Sequence, residues 1–178
     1  MRKLNAVLSI TVLAFFLLHM IAGSLLMLGL IPYSRVLQHT LSGLLGLAVT
    51  AHAVVGLKLT FDTAAAIKKS GASYWRENLL FWTRRVSGLA VLLFMVPHII
   101  IFANETGEPG NFNAVKPICM IIFVLSLLLH IVTNIRPLTA GLGKLSSGKT
   151  LMLSALVISF LLLAAGAVFI VYFTVKSL

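Results

Sequence analysis

Five long apolar runs dominate the chain, separated by shorter segments that contain polar, glycine and proline residues. Their approximate limits are 5–31, 37–57, 80–103, 115–135 and 150–175. A helix needs about 20 mostly apolar residues to cross about 30 Å of hydrocarbon, because it rises 1.5 Å per residue. The pattern therefore predicts an all-α fold, an integral membrane bundle of five transmembrane helices formed by residues 1–178 as one domain.

The composition agrees with a membrane protein. Of the 178 residues, 60% are hydrophobic and 10% are charged, and the mean hydropathy is +1.07, which is far outside the range of soluble domains. The first run follows Met1-Arg2-Lys3 as a signal peptide would, but its length favours a retained first span. The single cysteine, Cys119, excludes a Cys-ligated iron–sulfur cluster and a c-type haem attachment within this chain.

The basic residues predict the orientation in the membrane, because Lys and Arg are enriched on the cytoplasmic side. If the N-terminus is inside, eleven of the 14 Lys and Arg residues fall on the inner side: Arg2, Lys3, Lys58, Lys68, Lys69, Arg76, Arg84, Arg85, Arg136, Lys144 and Lys149. Only Arg35, Lys116 and Lys176 fall on the outer side. We expect the N-terminus inside and the C-terminus outside, and the net charge of +10 then needs no nucleic-acid partner.

The first four runs each contain one histidine, at positions His19, His52, His98 and His130. His52 and His130 each precede an inner-side basic residue by six positions, which puts both roughly 9 Å from the inner face. His19 and His98 lie roughly 24 Å and 20 Å from that face. Two depth-matched pairs on different helices are the arrangement needed to bind two haems axially, with both imidazoles as ligands. The alternative is that these histidines form hydrogen bonds between helices and have no ligand.

His39 has no depth-matched partner, because it lies about 20 Å further out than His52. Two interpretations stay open for it. It is either an interfacial polar residue or a hydrogen-bonding group and proton acceptor for a quinone headgroup.

The chain resembles the single-chain, five-helix, dihaem cytochrome b subunit of succinate dehydrogenase and fumarate reductase complexes. The resemblance covers essentially the whole chain and rests on the five spans, on a histidine in each of the first four, and on the stretch Trp82-Thr83-Arg84-Arg85-Val86-Ser87-Gly88. That stretch is similar to the Trp/Arg-Ser-Gly opening of the family's third span. The resemblance implies that His19 and His98 ligate the iron of an outer haem b, and that His52 and His130 ligate the iron of an inner one.

The resemblance also implies partners. Succinate or fumarate chemistry would belong to a flavoprotein subunit and an iron–sulfur subunit docked on the inner face, because this chain has no flavin fingerprint and no cysteine set. This chain would anchor them in a bacterial plasma membrane and exchange electrons with menaquinone or ubiquinone, and the complex could form oligomers. Cationic or hydrogen-bonding partners for the inner haem propionates would be Trp82, Arg84, Arg85 and Arg136, although positive-inside topology alone also explains the arginines.

The sequence departs from the family at its acidic positions. Some members have a glutamate at the outer start of the second span and another on the fourth, where this chain reads Gln38-His39-Thr40 and Leu127-Leu128-Leu129. All four acidic residues fall in predicted loops: Asp62, Glu77, Glu105 and Glu108. A quinone site would then use His39, Gln38, a loop carboxylate or a group near the inner face.

Two other classes of function stay open. One is the cytochrome b subunit of a hydrogenase or formate dehydrogenase, which also places histidines on several helices. The other is a haem-free membrane anchor or small transporter. Residues 143–150 satisfy the phosphate-binding pattern G-x-x-x-x-G-K-[ST], but the pattern lies between two spans with no strand before it, which indicates a chance match.

Overall fold

The computed structural model of the protein describes residues 1–70, 79–103, 115–143 and 147–176, and within these ranges the regular structure is entirely helical. The described residues form five helices: α1 (Arg2–Met27), α2 (Arg35–Ser70), α3 (Leu79–Ala103), α4 (Val115–Gly141) and α5 (Gly148–Lys176). Each is long and apolar enough to cross a membrane. The predicted all-α class with five candidate spans is confirmed, whereas the side on which each terminus lies stays a prediction. Arg76, Glu77, Glu105, Glu108 and Lys144 lie outside the described residues.

The chain divides into two compact units. The first unit comprises Met1–Leu79 and Ile135–Leu151, and the second comprises Leu80–Asn134 and Met152–Leu178. In the first unit α1 packs against α2, and this unit carries His19 and His52. The second unit contains α3 and most of α4 and α5, and it carries His98 and His130.

Helix α1 ends at Met27 rather than near residue 31, because a glycine turn closes it. Gly29 has φ of 70°, and the N–H groups of Gly29 and Leu30 donate to the carbonyls of Leu26 and Leu25 at 3.0 and 2.9 Å. These two bonds form a Schellman motif, which occupies carbonyls that the helix itself leaves without a donor. Ser34 then caps α2, since its Oγ accepts a bond from the N–H of Leu37 at 3.3 Å.

Helix α2 continues well beyond the predicted limit at residue 57 and ends at Ser70. Its added turns contain three consecutive alanines, at 64–66, which favour helix strongly. Lys68 and Lys69 lie in the last turn, where cations stabilise the helix dipole. The 36 residues correspond to about 54 Å of helix, which exceeds the thickness of the hydrocarbon layer.

The expected loop position of Asp62 is therefore wrong. Asp62 lies within α2, and its carboxylate is 3.9 Å from Nζ of Lys58, one turn earlier. Both side chains are more than half exposed, so this pair contributes only a few tenths of a kcal/mol to the helix. Helix propensity and this local pair extend α2 through a segment whose polarity had indicated a loop.

The phosphate-binding pattern at 143–150 begins just after the end of α4 and ends in the first turn of α5. Gly143 has φ of 74° and follows the end of α4. Ser147 caps α5, because its Oγ accepts a bond from the N–H of Thr150 at 3.3 Å. The described residues contain no strand that could precede a phosphate-binding loop, and residues 144–146 lie outside them.

The end of α4 approaches the start of α1 closely within the first unit. A Cβ at Gly141 would lie 2.9 Å from Cβ of Ala6 and 3.6 Å from the carbonyl oxygen of Arg2. Ala6 is only 3% exposed. The absence of a side chain at Gly141 thus allows these two helix ends to touch.

Candidate functional site

The four predicted haem ligands are all half-buried, although an exposed apolar residue lies within two positions of each of them on the same helix. Leu18 precedes His19 and is 54% exposed, and Leu129 precedes His130 and is 48% exposed. In a membrane such exposed leucines face lipid, whereas polar side chains face other helices. Each histidine therefore lies on a protein-facing side of its helix.

His52 faces a serine on the neighbouring helix of the first unit. Oγ of Ser9, on α1, lies 3.4 Å from Nδ1 of His52, on α2. The same Oγ donates to the carbonyl oxygen of Asn5 at 2.8 Å. Since a hydroxyl has one hydrogen, and that of Ser9 is directed to Asn5, the contact with His52 is satisfied when Nδ1 carries the hydrogen and Ser9 accepts it.

His130 has an equivalent arrangement in the second unit. Oγ of Ser87, on α3, lies 3.3 Å from Nδ1 of His130, on α4, and it donates to the carbonyl oxygen of Arg84 at 3.2 Å. That carbonyl oxygen is itself 3.3 Å from Nδ1 of His130. A carbonyl only accepts, so Nδ1 of His130 also carries the hydrogen. Ser87 is 3% exposed, which shields these bonds from the surroundings.

The tautomer with the hydrogen on Nδ1 satisfies the contacts of both rings. In a neutral imidazole the other nitrogen, Nε2, then has the lone pair that a metal needs. Ligating histidines in metalloproteins characteristically donate their second ring N–H to a carbonyl or another acceptor. The chemistry of His52 and His130 thus matches that of a metal ligand.

The ring of His130 also packs on the backbone of α3. A Cβ at Gly88 would lie 3.0 Å from Cε1 and 3.3 Å from Nδ1 of that ring. Few real Cβ contacts are this short, so a side chain at position 88 would displace the ring. Ser87 and Gly88, both part of the stretch that carries the family resemblance, therefore position His130 through a hydrogen bond and a steric notch.

His98 lies among aromatic rings of the second unit. Its ring centroid is 4.9 Å from that of Phe102 and 5.2 Å from that of Phe123. Phe102 in turn contacts Phe169 of α5 at 5.8 Å, in an edge-to-face arrangement. Phe123 and Phe169 are both buried. This aromatic cluster, Phe102, Phe123 and Phe169, gives His98 a largely apolar neighbourhood.

Space is present near both histidines of the first unit. Gly23 follows His19 by one helical turn, and Gly56 follows His52 by one turn. In the part of the chain that the structure describes, a Cβ at either glycine would meet no heavy atom within 4 Å. A flat ligand could therefore approach the backbone at these positions.

The predicted propionate partners occupy different environments. The guanidinium of Arg85 lies 5.1 Å from the ring centroid of Phe81, a cation–π contact. Trp82 packs edge-to-face on the same ring at 5.3 Å. Arg136, in the first unit, is exposed. The Nε of Arg84 is buried and has no hydrogen-bond partner among the described residues.

The predicted quinone contacts lie at the start of α2. His39 is exposed and Gln38 is half-buried, within the first two turns after Arg35. Each unit is described by itself, and the pairing of His19 with His98 and of His52 with His130 stays a prediction. Among the described residues no group of three or more His, Cys, Asp or Glu side chains is placed to hold a metal ion.

Ser9 was not predicted as a site residue from the sequence, and Ser87 entered only as part of the stretch Trp82–Gly88. A signal was present, because each serine precedes its histidine by the same 43 positions. A polar residue inside an apolar run is expected to find a partner, so equal spacing of two such residues to two histidines was informative.

Comparison with family models, with curated proteins and with solved structures finds no match to this chain.

Proposed function

We propose that the protein is a membrane-anchor cytochrome b, which binds two b-type haems through His19 with His98 and His52 with His130. The observation that carries the proposal is that Nδ1 of two of the four histidines faces an oxygen acceptor on a neighbouring helix, at 3.4 Å for His52 and 3.3 Å for His130. This is the hydrogen-bonding state of a ligating histidine, and two rings in separate units share it. The depth layers derived from the sequence supply the pairing.

The residues around these histidines fit a haem. The space beside Gly23 and Gly56 would accommodate the edge of a porphyrin close to the helix backbone. The buried Nε of Arg84 would donate to a propionate, since a buried guanidinium nitrogen gains most from a charged acceptor. Trp82, Arg85 and Arg136 are further candidates for contacts with the inner haem propionates.

A haem with two histidine ligands supplies a one-electron couple and no open coordination position, which suits electron transfer. The chain's own residues would hold the two irons at different depths, so that electrons cross part of the membrane through it. Dicarboxylate chemistry would take place in a flavoprotein subunit, connected through an iron–sulfur subunit on the inner face. On this proposal the complex is a succinate dehydrogenase or fumarate reductase of a bacterial plasma membrane.

The quinone would bind near the outer haem, at the start of α2. The imidazole of His39 and the side-chain amide of Gln38 each offer both a hydrogen-bond donor and an acceptor. Because His39 is exposed on its helix, a quinone could reach it laterally from the lipid phase. Ubiquinone and menaquinone share the carbonyl groups that such a site would recognise.

The test is the reduced-minus-oxidised optical spectrum of the purified protein, with haem and protein quantified on the same sample. We expect two b-type haems per polypeptide. One haem per chain would show that one of the two pairs is misassigned, and a haem-free protein would favour a plain anchor or transporter. Subunits that co-purify then identify the complex, because a succinate dehydrogenase brings flavin and iron–sulfur clusters, whereas a hydrogenase or formate dehydrogenase brings nickel or molybdenum.

A further inference from the structure

The two serine–histidine pairs occupy equivalent places in two helical hairpins. Ser9 and His52 lie on α1 and α2, Ser87 and His130 lie on α3 and α4, and the Oγ–Nδ1 distances are 3.4 and 3.3 Å. The same number of residues separates Ser9 from Ser87, His52 from His130, and Lys58 from Arg136. The chain therefore repeats a serine, a histidine and a basic residue in register.

We propose that Ser9 and Ser87 are positioning residues that hold His52 and His130 with Nε2 presented for ligation, and that they thereby set the reduction potential of the inner haem. This inference rests on the proposed function, because it concerns the haem that those two histidines would ligate. Neither serine is proposed to touch the haem. Each acts through the ring nitrogen that faces it.

The hydrogen bond that each serine donates determines whether its oxygen accepts a hydrogen from the histidine. Ser9 donates to Asn5, and Ser87 donates to Arg84, both within the serine's own helix. Each hydroxyl hydrogen is thus directed toward a backbone carbonyl, and the serine oxygen presents a lone pair to the histidine. A hydroxyl in this state selects the Nδ1–H tautomer and, by accepting that hydrogen, makes Nε2 a stronger electron donor.

A stronger donor stabilises the ferric iron more than the ferrous iron. Loss of either serine hydroxyl should therefore raise the reduction potential of the inner haem and leave the outer haem unchanged. The variants are Ser9→Ala and Ser87→Ala. We expect Ser9→Ala to shift the reduction equilibrium of the inner haem about tenfold toward the reduced form, which is about 59 mV for one electron. Ser87→Ala should shift it less, because the carbonyl oxygen of Arg84 lies 3.3 Å from Nδ1 of His130 and stays in place as an acceptor.

Two further variants separate positioning from simple structural damage. Ser159→Ala is the matched control, because Ser159 on α5 donates to the carbonyl oxygen of Ala155 at 2.7 Å in the way that Ser9 donates to Asn5. It should leave both potentials unchanged. Ser9→Thr keeps the hydroxyl, so the reduction potential of the inner haem should stay at the value of the parent protein.

The measurements are a potentiometric titration of both haems and nitrogen-15 NMR of the histidine rings in protein purified without haem. The NMR spectrum reports the tautomer directly, and we expect Nδ1–H for His52 in the parent protein and a mixture in Ser9→Ala. Unchanged potentials of the inner haem in both alanine variants, with both haems bound, would overturn the inference. An absence of haem from the parent protein would instead overturn the proposed function, while the tautomer result would still stand on its own.

Discussion

Gly88 and His130 are in closer contact than a side chain at position 88 would allow, since a Cβ there would lie 3.0 Å from Cε1 of the histidine. The contact joins α3 to α4 at the level where Ser87 accepts the hydrogen of Nδ1. The two neighbouring residues of α3 thus act on the same ring, one by its hydroxyl and one by its lack of a side chain.

Replacing Gly88 should therefore displace His130. We expect Gly88→Val to destabilise the protein by about 1–3 kcal/mol through overpacking and to lose the inner haem. Thermal unfolding in detergent, together with haem content, measures both effects. Gly46→Ala on α2 is the control, because a Cβ there would meet nothing within 4 Å among the described residues, and alanine favours helix. If Gly88→Val retains two haems, the notch is not needed to position the ring.

Single substitutions of the histidines test which two of them ligate the same haem. His19→Ala and His98→Ala should remove the same outer haem, and His52→Ala and His130→Ala should remove the same inner haem, because an iron that loses one of two axial ligands is held weakly. A redox titration distinguishes the haems if their potentials differ. His39→Ala is the comparison variant and should keep both haems. Loss of different haems from His19→Ala and His98→Ala would contradict the assignment by depth.

Arg84 should contribute more to haem retention than the exposed basic residues do. Its buried Nε would lose a charge-assisted bond in Arg84→Gln, and such bonds are worth about 1.5–3 kcal/mol. We expect haem affinity to fall about 10-fold to 100-fold, measured by haem transfer to an acceptor protein. Lys149→Gln removes a basic residue that is exposed at the start of α5, and it should leave haem affinity unchanged. Equal losses in the two variants would point to net charge rather than to a specific contact.

The close approach of Gly141 to Ala6 makes a prediction about stability alone. Gly141→Ala would place two Cβ atoms 2.9 Å apart, so the start of α1 must shift, at a cost of about 1–3 kcal/mol. Gly166→Ala is matched in size, but its Cβ would lie at an ordinary 3.8 Å from Val124. We expect the first variant to unfold at a lower temperature than the parent and the second to unfold at the same temperature or higher. Identical unfolding temperatures of Gly141→Ala and the parent protein would show that the start of α1 shifts without a loss of stability.

Hydropathy was sufficient to predict five helices, because each apolar run is long and only one structure satisfies the backbone of such a run in a membrane. The helix ends were less predictable. Gly29 stops α1 through a positive φ, whereas α2 continues through Asp62 because alanines and a local ion pair favour helix there. Both outcomes depend on local backbone energetics, which a hydropathy window does not measure.

The histidines of the candidate site could be identified from the sequence, because an intramembrane histidine is conspicuous and its depth follows from simple counting. Their partners could not be identified in the same way. Ser9 is one of several serines and threonines in the spans, and others donate to a carbonyl of their own helix, as Thr50 does to Gly46. Which serine reaches a neighbouring ring depends on how the helices are rotated about their axes, and a hydropathy pattern determines that rotation only to within a broad face.

Helix α2 runs without interruption from Arg35 to Ser70, so its first turns and the turns beyond Lys58 share one helical phase. A single residue inserted after Lys58 would leave the apolar span unchanged but would rotate everything that follows by about 100° and advance it by 1.5 Å. Thr63 and Ile67, which lie on the same helical face as His52, would then point in a different direction from His52. The number of residues that separate His52 from Thr63 therefore determines the direction in which Thr63 points as well as its distance along the helix.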